Sequence, residues 1–178
     1  MKLYTRNFAT PFGEMILAVD EDNVLTRLIF PNEHERWAQE NVRREYITVH
    51  DPKRSDHVAA QLEAYFERKR FAFDLPLRPE GTPFQLKVWA ALKTIPYGKT
   101  STYKEIALQI GNLAAIRAVG RANGSNPIPI IMPCHRVIGA DGSLTGFGGG
   151  LPLKQALLKL EGVQIGQSIV ANRQPALL

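Results

Sequence analysis

Residues 133–137 read Pro-Cys-His-Arg-Val, follow the apolar run at 128–132, and contain the only cysteine of the chain. One cysteine cannot form an internal disulfide, and a cysteine-based zinc site needs several thiolates. The thiol is therefore either a packing group or a reactive one. A free cysteine is most often a small buried hydrophobe. The neighbours favour reactivity, because His135 supplies an imidazole and the charge of Arg136 favours thiolate over thiol. We interpret the apolar run as a buried strand or extended segment that leads to a pocket.

The composition is that of a globular protein with room for one ordinary domain or two small ones. The chain has 178 residues, of which 44% are hydrophobic and 22% charged. It has no apolar run of 18 or more residues, so we expect no membrane span. Residues 1–6 lack the apolar core of a secretory signal. Together with the unpaired cysteine, this favours the cytoplasm as the location.

Charge is distributed unevenly between the two halves. Residues 1–80 contain 12 Lys and Arg against 14 Asp and Glu, whereas residues 81–178 contain 10 against 3. A basic half is typical of a protein that binds a polyanion such as nucleic acid. The alternative is a basic surface that is simply solvated, and composition alone leaves both open.

The first 75 residues predict a small α/β scaffold domain. Three strands arranged as an antiparallel meander are predicted first, followed by two helices, the first capped by Asn32, and a further strand. The predicted strands are Lys2–Phe8, Met15–Val19, Val24–Phe30 and Phe71–Leu77, and the predicted helices are Glu33–Arg44 and Ser55–Arg68. Residues 76–82 are rich in Pro and Gly and predict a linker to a second domain at 83–178.

The second domain has the pattern of a helix-turn-helix. Thr82 and Pro83 predict the start of its first helix. Two short helices then follow, at about 101–111 and 114–122, joined by a tight turn. Ala and Gly on the outer face of the second would allow close approach to DNA, with Arg117 projecting. Ordinary helix–helix packing also uses Ala and Gly, and the basic composition is what favours DNA binding.

Further residues of this half are candidates for supporting the cysteine. Asn126 precedes the cysteine segment and could fix its loop. The Gly-rich segment 146–150 lacks the context of a phosphate-binding loop and is interpreted as a mobile pocket wall. Glu161 could orient His135 as the third member of a nucleophile–base–orienter set, or be an ordinary surface carboxylate. We expect the tail beyond Ile169 to be poorly ordered.

Several of these segments resemble one family in sequence and in order. They are Tyr103, Arg117–Gly120, Gly124–Pro127, the Pro-Cys-His-Arg-Val-Ile-Gly motif at 133–139, and Glu161-Gly162. The chain resembles the O6-alkylguanine-DNA alkyltransferase (methylated-DNA–protein-cysteine methyltransferase) family, in particular its free-standing bacterial type. The resemblance is close over roughly residues 81–165, and covers the first half only in length and coarse pattern.

The resemblance implies a fold, an activity and a partner. The fold is a small N-terminal α/β (RNase H-like) domain followed by a mainly helical domain with a helix-turn-helix. The activity is transfer of the alkyl group from O6-alkylguanine, and by extension O4-alkylthymine, to the protein's own cysteine. The transfer is stoichiometric and irreversible and needs no cofactor. The partner is double-stranded DNA carrying the lesion, bound by a monomer, with cooperative binding along DNA left open.

The resemblance also implies residue roles. Cys134 is the alkyl acceptor, activated by His135 (through a water) and Glu161. Tyr103 is the proton donor near the base, Asn126 positions the loop, and Arg117 enters the duplex when the nucleotide is flipped out. The other residues expected to contact DNA are Lys104, Asn112, Ala114, Ala115, Ala118 and Gly120, together with Tyr103. The residues expected to line the base pocket are Pro129, Val137, Phe147 and Gly148.

The chain departs from some relatives in ways that bear on function. Some carry Tyr or Ser where this chain has Phe147 and Gly148, which affects the grip on the flipped base. Others hold a structural zinc through N-terminal cysteines, and with Cys134 as the only cysteine we expect no metal here. Two other functions are considered. One is a non-catalytic sensor of alkylated DNA that recruits repair factors, against which the presence of Cys134 argues. The other is a cysteine hydrolase, for which an adjacent His135 is awkwardly placed.

Overall fold

A four-stranded sheet forms the N-terminal part of the computed structural model, which describes residues 1–164. The predicted disorder beyond Ile169 falls outside the described residues. Strands β1 (Lys2–Thr10), β2 (Gly13–Val19) and β3 (Leu25–Ile29) form the predicted antiparallel meander. A strand that we did not predict, β4 (Ile47–His50), pairs in parallel with β1, and the order across the sheet is β3-β2-β1-β4.

Helices cover both faces of this sheet. Helix α1 (His34–Arg43) places Trp37 in a small cluster with Leu3 and Ala18. Helix α2 (Asp56–Phe66) contributes to the main core on the other face, because Val58, Leu62 and Tyr65 recur at helical spacing and are fully buried. The mixed α/β prediction for this part of the chain is confirmed.

Two local predictions in this half are wrong. Asn32 does not cap α1, because a short 3₁₀ turn, Pro31–Glu33, precedes the helix, and the Asn32 amide donates instead to Gly148 O. Residues 71–77 do not form a strand. Only Leu77 makes a bridge, to Leu25, and alternating apolar residues here reflect packing of an irregular segment against the core.

The C-terminal half is mainly helical. Helix α3 (Pro83–Leu92) begins at the predicted cap, where Thr82 and Gln85 form a reciprocal capping box. Helices α4 (Tyr103–Gln109) and α5 (Ile116–Gly124) form the helix-turn-helix, and α6 (Leu151–Leu160) closes the described chain. Strands β5 (Ser101–Thr102) and β6 (Val137–Ile138) pair in parallel, which places the start of α4 beside the cysteine segment.

The two halves share one hydrophobic core. The largest buried cluster contains Leu17 and Leu62 from the first half, and Trp89, Cys134 and Leu157 from the second. Strand β3 also bonds to the second half directly, because Leu28 N donates to Pro127 O at 2.9 Å. The first half therefore supports the segment that carries the cysteine. None of the helices in the described part of the chain is long and apolar enough to cross a membrane.

Candidate active site

Cys134 begins a short 3₁₀ turn, Cys134–Arg136, that runs directly into β6. The apolar segment before it is buried, as predicted, but it is a series of turns and not a strand, with Met132 N donating to Ile128 O. Ile130 has a φ of 71°. A β-branched residue seldom adopts this left-handed conformation, so the segment is strained and needs external support.

Asn126 supplies much of that support. Its Nδ2 donates to Met132 O at 2.6 Å, and its Oδ1 accepts from Ile128 N at 3.0 Å, so one side chain ties together both ends of the turn. Asn126 also lies close enough to the Cys134 sulfur to lower the pKa of the thiol. Asn123 contributes from α5, where its Nδ2 donates to Cys134 O at 3.4 Å. The geometry fits the predicted role of Asn126 in fixing the loop.

Glu161 is the centre of a buried polar network. It lies just after α6 and is 5% exposed, so it is not a surface carboxylate. Arg136 binds it with two nitrogens, at 2.8 and 2.9 Å, while Tyr65 Oη donates to it at 2.7 Å and Gly98 N at 3.2 Å. Burial raises the pKa of Glu161, but bonds and charges from His135 and Arg136 outweigh it and lower the pKa to about 2. The carboxylate is therefore ionised at neutral pH.

His135 is oriented by this carboxylate. Its Nε2 lies 2.7 Å from Glu161 Oε1, and neither side chain is exposed. Burial lowers the pKa of His135, and the hydrogen bond to Glu161 offsets that effect only in part. The imidazole is consequently neutral at pH 7, with Nε2–H donating to Glu161. Among the described residues, nothing bonds the buried Nδ1, so this nitrogen keeps a free lone pair that can accept a proton.

The thiol itself is protonated in the free protein. Cys134 is 3% exposed, and burial raises its pKa to about 11, against smaller lowering effects from Asn126 and Lys154. The expectation that Arg136 would favour the thiolate is wrong, because that guanidinium is bound to Glu161 and to Ile95 O. Alkylation of this sulfur therefore requires a base that removes the proton during the reaction.

Tyr103 reaches the same region from the start of α4. Its Oη donates to Thr145 O at 3.0 Å, and burial raises its pKa, so the hydroxyl stays protonated and can act as a donor. Thr145 immediately precedes the glycine-rich loop, which we define as residues 146–150. Phe147 of this loop packs against the core cluster that contains Cys134. Of the predicted pocket residues, Pro129 and Val137 are buried and Phe147 and Gly148 are half-buried.

The helix-turn-helix presents an exposed surface beside this site. Arg117 projects from the first turn of α5 and forms no ion pair with a described residue. Leu113 and Ile116 lie next to it, 48% and 38% exposed, and the sequence reasoning missed both. Of the remaining predicted DNA contacts, Lys104, Asn112 and Ala114 are exposed, and Ala115, Ala118 and Gly120 are half-buried.

Comparison with known proteins identifies this arrangement. The family model "6-O-methylguanine DNA methyltransferase, DNA binding domain" matches residues 83–163, and the family's ribonuclease-like domain matches residues 3–79. The chain belongs to the 6-O-methylguanine DNA methyltransferase family. It is 49% identical to the methylated-DNA–protein-cysteine methyltransferase of Methanosarcina acetivorans over 160 residues, covering 90% of this chain and 99% of that protein. The protein of the same name from Haemophilus influenzae is 40% identical, covering 97% and 94%.

A solved structure of this family agrees with the fold. The Mycobacterium tuberculosis protein OGT, crystallised in complex with DNA, is 46% identical and superimposes with a TM-score of 0.77. The match covers 90% of this chain and 92% of that one. The predicted family and the predicted two-part fold are both confirmed.

One buried residue near Cys134, Lys154, was not predicted from the sequence. Lys154, on α6, is fully buried, and its Nζ donates to Val137 O at 2.6 Å and to Thr145 O at 2.8 Å. Burial lowers its pKa to about 8, and the nearby Cys134 partly offsets the effect. A buried lysine is rare. Its position in an amphipathic helix beside Leu153 and Leu157 gave no sign that it faces inward.

Within residues 1–164, no group of three or more His, Cys, Asp or Glu side chains is arranged to hold a metal ion. Of the other three histidines, His50 and His57 are exposed, and His34 lies at the start of α1.

Proposed function

We propose that this protein repairs O6-alkylguanine in double-stranded DNA by accepting the alkyl group on the sulfur of Cys134. The function follows from membership of the methyltransferase family. The roles given to individual residues are part of this proposal and depend on the geometry of the site. One observation carries it. A buried cysteine lies next to a buried, neutral histidine whose Nε2 is bound to an ionised carboxylate, leaving Nδ1 as an acceptor.

The chemistry divides among four residues. His135 Nδ1 takes the thiol proton through a bridging water, and Glu161 stabilises the imidazolium that forms. Cys134 Sγ attacks the alkyl carbon, so that the sulfur–carbon bond forms as the bond from carbon to O6 breaks. Tyr103 gives its hydroxyl proton to the departing guanine, and the proton taken up by His135 is then returned through water to the Tyr103 oxygen. The net reaction converts a thiol and an alkylated base into a thioether and guanine.

Access to the lesion requires nucleotide flipping, since O6 is paired inside the duplex. Arg117 stands at the start of α5 where a side chain can replace the extruded base, and its neighbours Ala118 and Gly120 allow close approach. We place this helix in the minor groove, where its small residues permit close approach. O4-alkylthymine presents the same kind of alkyl carbon and belongs to the proposed substrate range.

The thioether product determines the stoichiometry. A carbon–sulfur bond of this type has no route back to a thiol within the site, so each chain acts once and needs no cofactor. The protein acts as a monomer on DNA in this proposal, and the unpaired thiol suits the reducing conditions of the cytoplasm.

A restriction assay tests the function. A duplex in which O6-methylguanine blocks a restriction site is incubated with the protein and then digested. Wild type should restore cleavage in proportion to the protein added, and Cys134→Ala should restore none while binding the duplex with near wild-type affinity. Restored cleavage by Cys134→Ala would contradict the assignment. Binding by wild type without any restored cleavage would point to the non-catalytic sensor.

A further inference from the structure

The glycine-rich loop begins beside residues that surround Cys134. Tyr103 and Lys154 are both close enough to Cys134 for it to raise their pKa values, and both donate to Thr145 O, directly before the loop. Phe147, inside the loop, packs on the core cluster that contains the cysteine. Cys134 is only 3% exposed, so part of the surrounding protein must move before a base carrying an alkyl group can reach the sulfur, and this loop is the candidate segment.

The N-terminal half contacts this loop at consecutive positions just after β3. Phe30 and Phe147 have ring centroids 5.4 Å apart, and Asn32 Nδ2 donates to Gly148 O at 3.0 Å. The contact is also close sterically, since a Cβ added to Gly148 would lie 2.9 Å from Glu33 Oε1. Glu33 is near enough to the thiol to raise its pKa slightly. Residues 30–33 therefore reach across from the first half to the rim of the active site.

The glycines of the loop are needed for this contact. A Cβ added to Gly149 would lie 2.7 Å from Leu153 Cδ2 and 2.9 Å from both Phe147 Cε1 and Phe30 Cδ2. At such distances something must shift, so an added side chain disturbs the fit of the loop against these three side chains. The glycines therefore allow the loop to pack closely against the N-terminal half.

We propose that residues 30–33 of the N-terminal half hold the glycine-rich loop closed over Cys134, with Asn32 as the polar latch, and so limit which alkyl groups reach the sulfur. This assigns a positioning role in the reaction to the N-terminal half. The consequence for alkyl transfer rests on the proposed function of Cys134, whereas the closure of the loop does not.

Thiol labelling measures the closure independently of DNA. Cys134 is labelled with 5,5′-dithiobis(2-nitrobenzoic acid) at pH 8 in wild type, Asn32→Ala and Gly149→Ala. Asn7→Ala is the control for Asn32, because Asn7 also makes a single exposed amide hydrogen bond, to Glu14. Gly124→Ala is the control for Gly149, because an added Cβ there meets nothing within 4 Å. Losing one hydrogen bond should raise the opening equilibrium, and hence the labelling rate, about fivefold in Asn32→Ala.

Gly149→Ala should label faster still, and the two controls should label at the wild-type rate. Labelling of Asn32→Ala at the rate of Asn7→Ala would overturn the proposal. Faster labelling of Gly149→Ala alone would overturn it too, because the loop would then close without the N-terminal half. Labelling at several low urea concentrations separates loop opening from global unfolding, since only the latter accelerates steeply with urea.

Alkyl transfer gives the second readout. Asn32→Ala should react with free O6-benzylguanine several-fold faster than wild type, while its reaction with a smaller O6-methylguanine base changes less. Equal acceleration with both would contradict a limit on alkyl size. If Cys134 were not the alkyl acceptor, no variant would gain an adduct from either base, and the labelling ratios would still report whether the loop is latched.

Discussion

His135 Nε2 lies 2.7 Å from Glu161 Oε1, and both side chains are fully shielded from solvent. Glu161→Gln keeps the size of the side chain but removes the charge that fixes the imidazole and balances Arg136. We expect alkyl transfer to fall by at least tenfold, and the free energy of unfolding to fall by about 3–5 kcal/mol, because Arg136 is left buried without its partner. Single-turnover rates and urea unfolding measure the two effects.

Glu67→Gln is the control for this substitution. Glu67 is exposed and pairs only with Lys69 on the surface, so both the rate and the unfolding energy should stay near wild type. A Glu161→Gln variant that transfers the alkyl group as fast as Glu67→Gln would remove Glu161 from the mechanism.

The pH dependence of alkyl transfer reports on His135. Burial lowers the pKa of this histidine below its ordinary value of 6.5, so Nδ1 remains available as a base at neutral pH and is lost as pH falls through the lowered pKa. We expect the rate with O6-benzylguanine to change little between pH 8 and 6.5 and to fall below that. His135→Gln should react slowly and lose this acidic limb.

The stability of the folded protein should also decrease as the pH falls. Below pH 6.5 the unfolded chain binds a proton at this position before the folded one does, so the free energy of unfolding declines as pH falls. A His135→Gln variant with the wild-type rate at pH 7.5 would contradict the role of the imidazole.

Substitution of Lys154 tests the role of this buried residue in stability and in the pKa of the thiol. Lys154→Met keeps most of the buried volume but removes a donor from Val137 O and leaves Tyr103 Oη as the remaining side-chain donor to Thr145 O, which should cost about 1–3 kcal/mol of stability. The nearby cation lowers the pKa of the thiol, so its removal should move the midpoint of a thiol-labelling pH titration upward. Lys159→Met, at an exposed position of the same helix, should change neither quantity.

Arg117 should matter only when a base has to be flipped. Arg117→Ala is expected to slow repair of a duplex by at least tenfold and to leave the reaction with free O6-benzylguanine near wild type. Arg43→Ala, an exposed arginine on α1, serves as the control for a general loss of charge. Equal losses of Arg117→Ala on duplex and free base would argue against a role in flipping.

The sequence predicted correctly those elements that depend on residues close together in the chain. The helix start at Thr82 and Pro83, the apolar spacing of α2 and the helix-turn-helix each depend on residues a few positions apart. Strand β4 was missed because it is short and mostly exposed, and only its parallel pairing with β1 defines it. Alternation at 71–77 predicted a strand, but only its last residue, Leu77, reaches a neighbouring strand, where it bridges Leu25 of β3.

In the active site, too, the features that depend on neighbouring residues were predicted and those that depend on distant residues were not. The motif at 133–139 and Glu161 were recognised from the sequence, yet the protonation of Cys134 was not. Burial raises the pKa of the thiol, and Arg136 forms an ion pair with Glu161. Both effects depend on tertiary packing. The inward direction of Lys154 and the reach of Asn32 to Gly148 likewise connect distant parts of the chain. Such contacts leave no trace in local spacing.

Intact mass spectrometry tests the central claim most directly. The protein is incubated with excess duplex containing O6-methylguanine, and the mass of the chain and of its peptides is measured. The account predicts one added CH₂ per chain, located on Cys134, with guanine restored in the duplex in equal amount and the reaction then at an end. Repair of more than one lesion per chain, or a methyl group on any other residue, would contradict it.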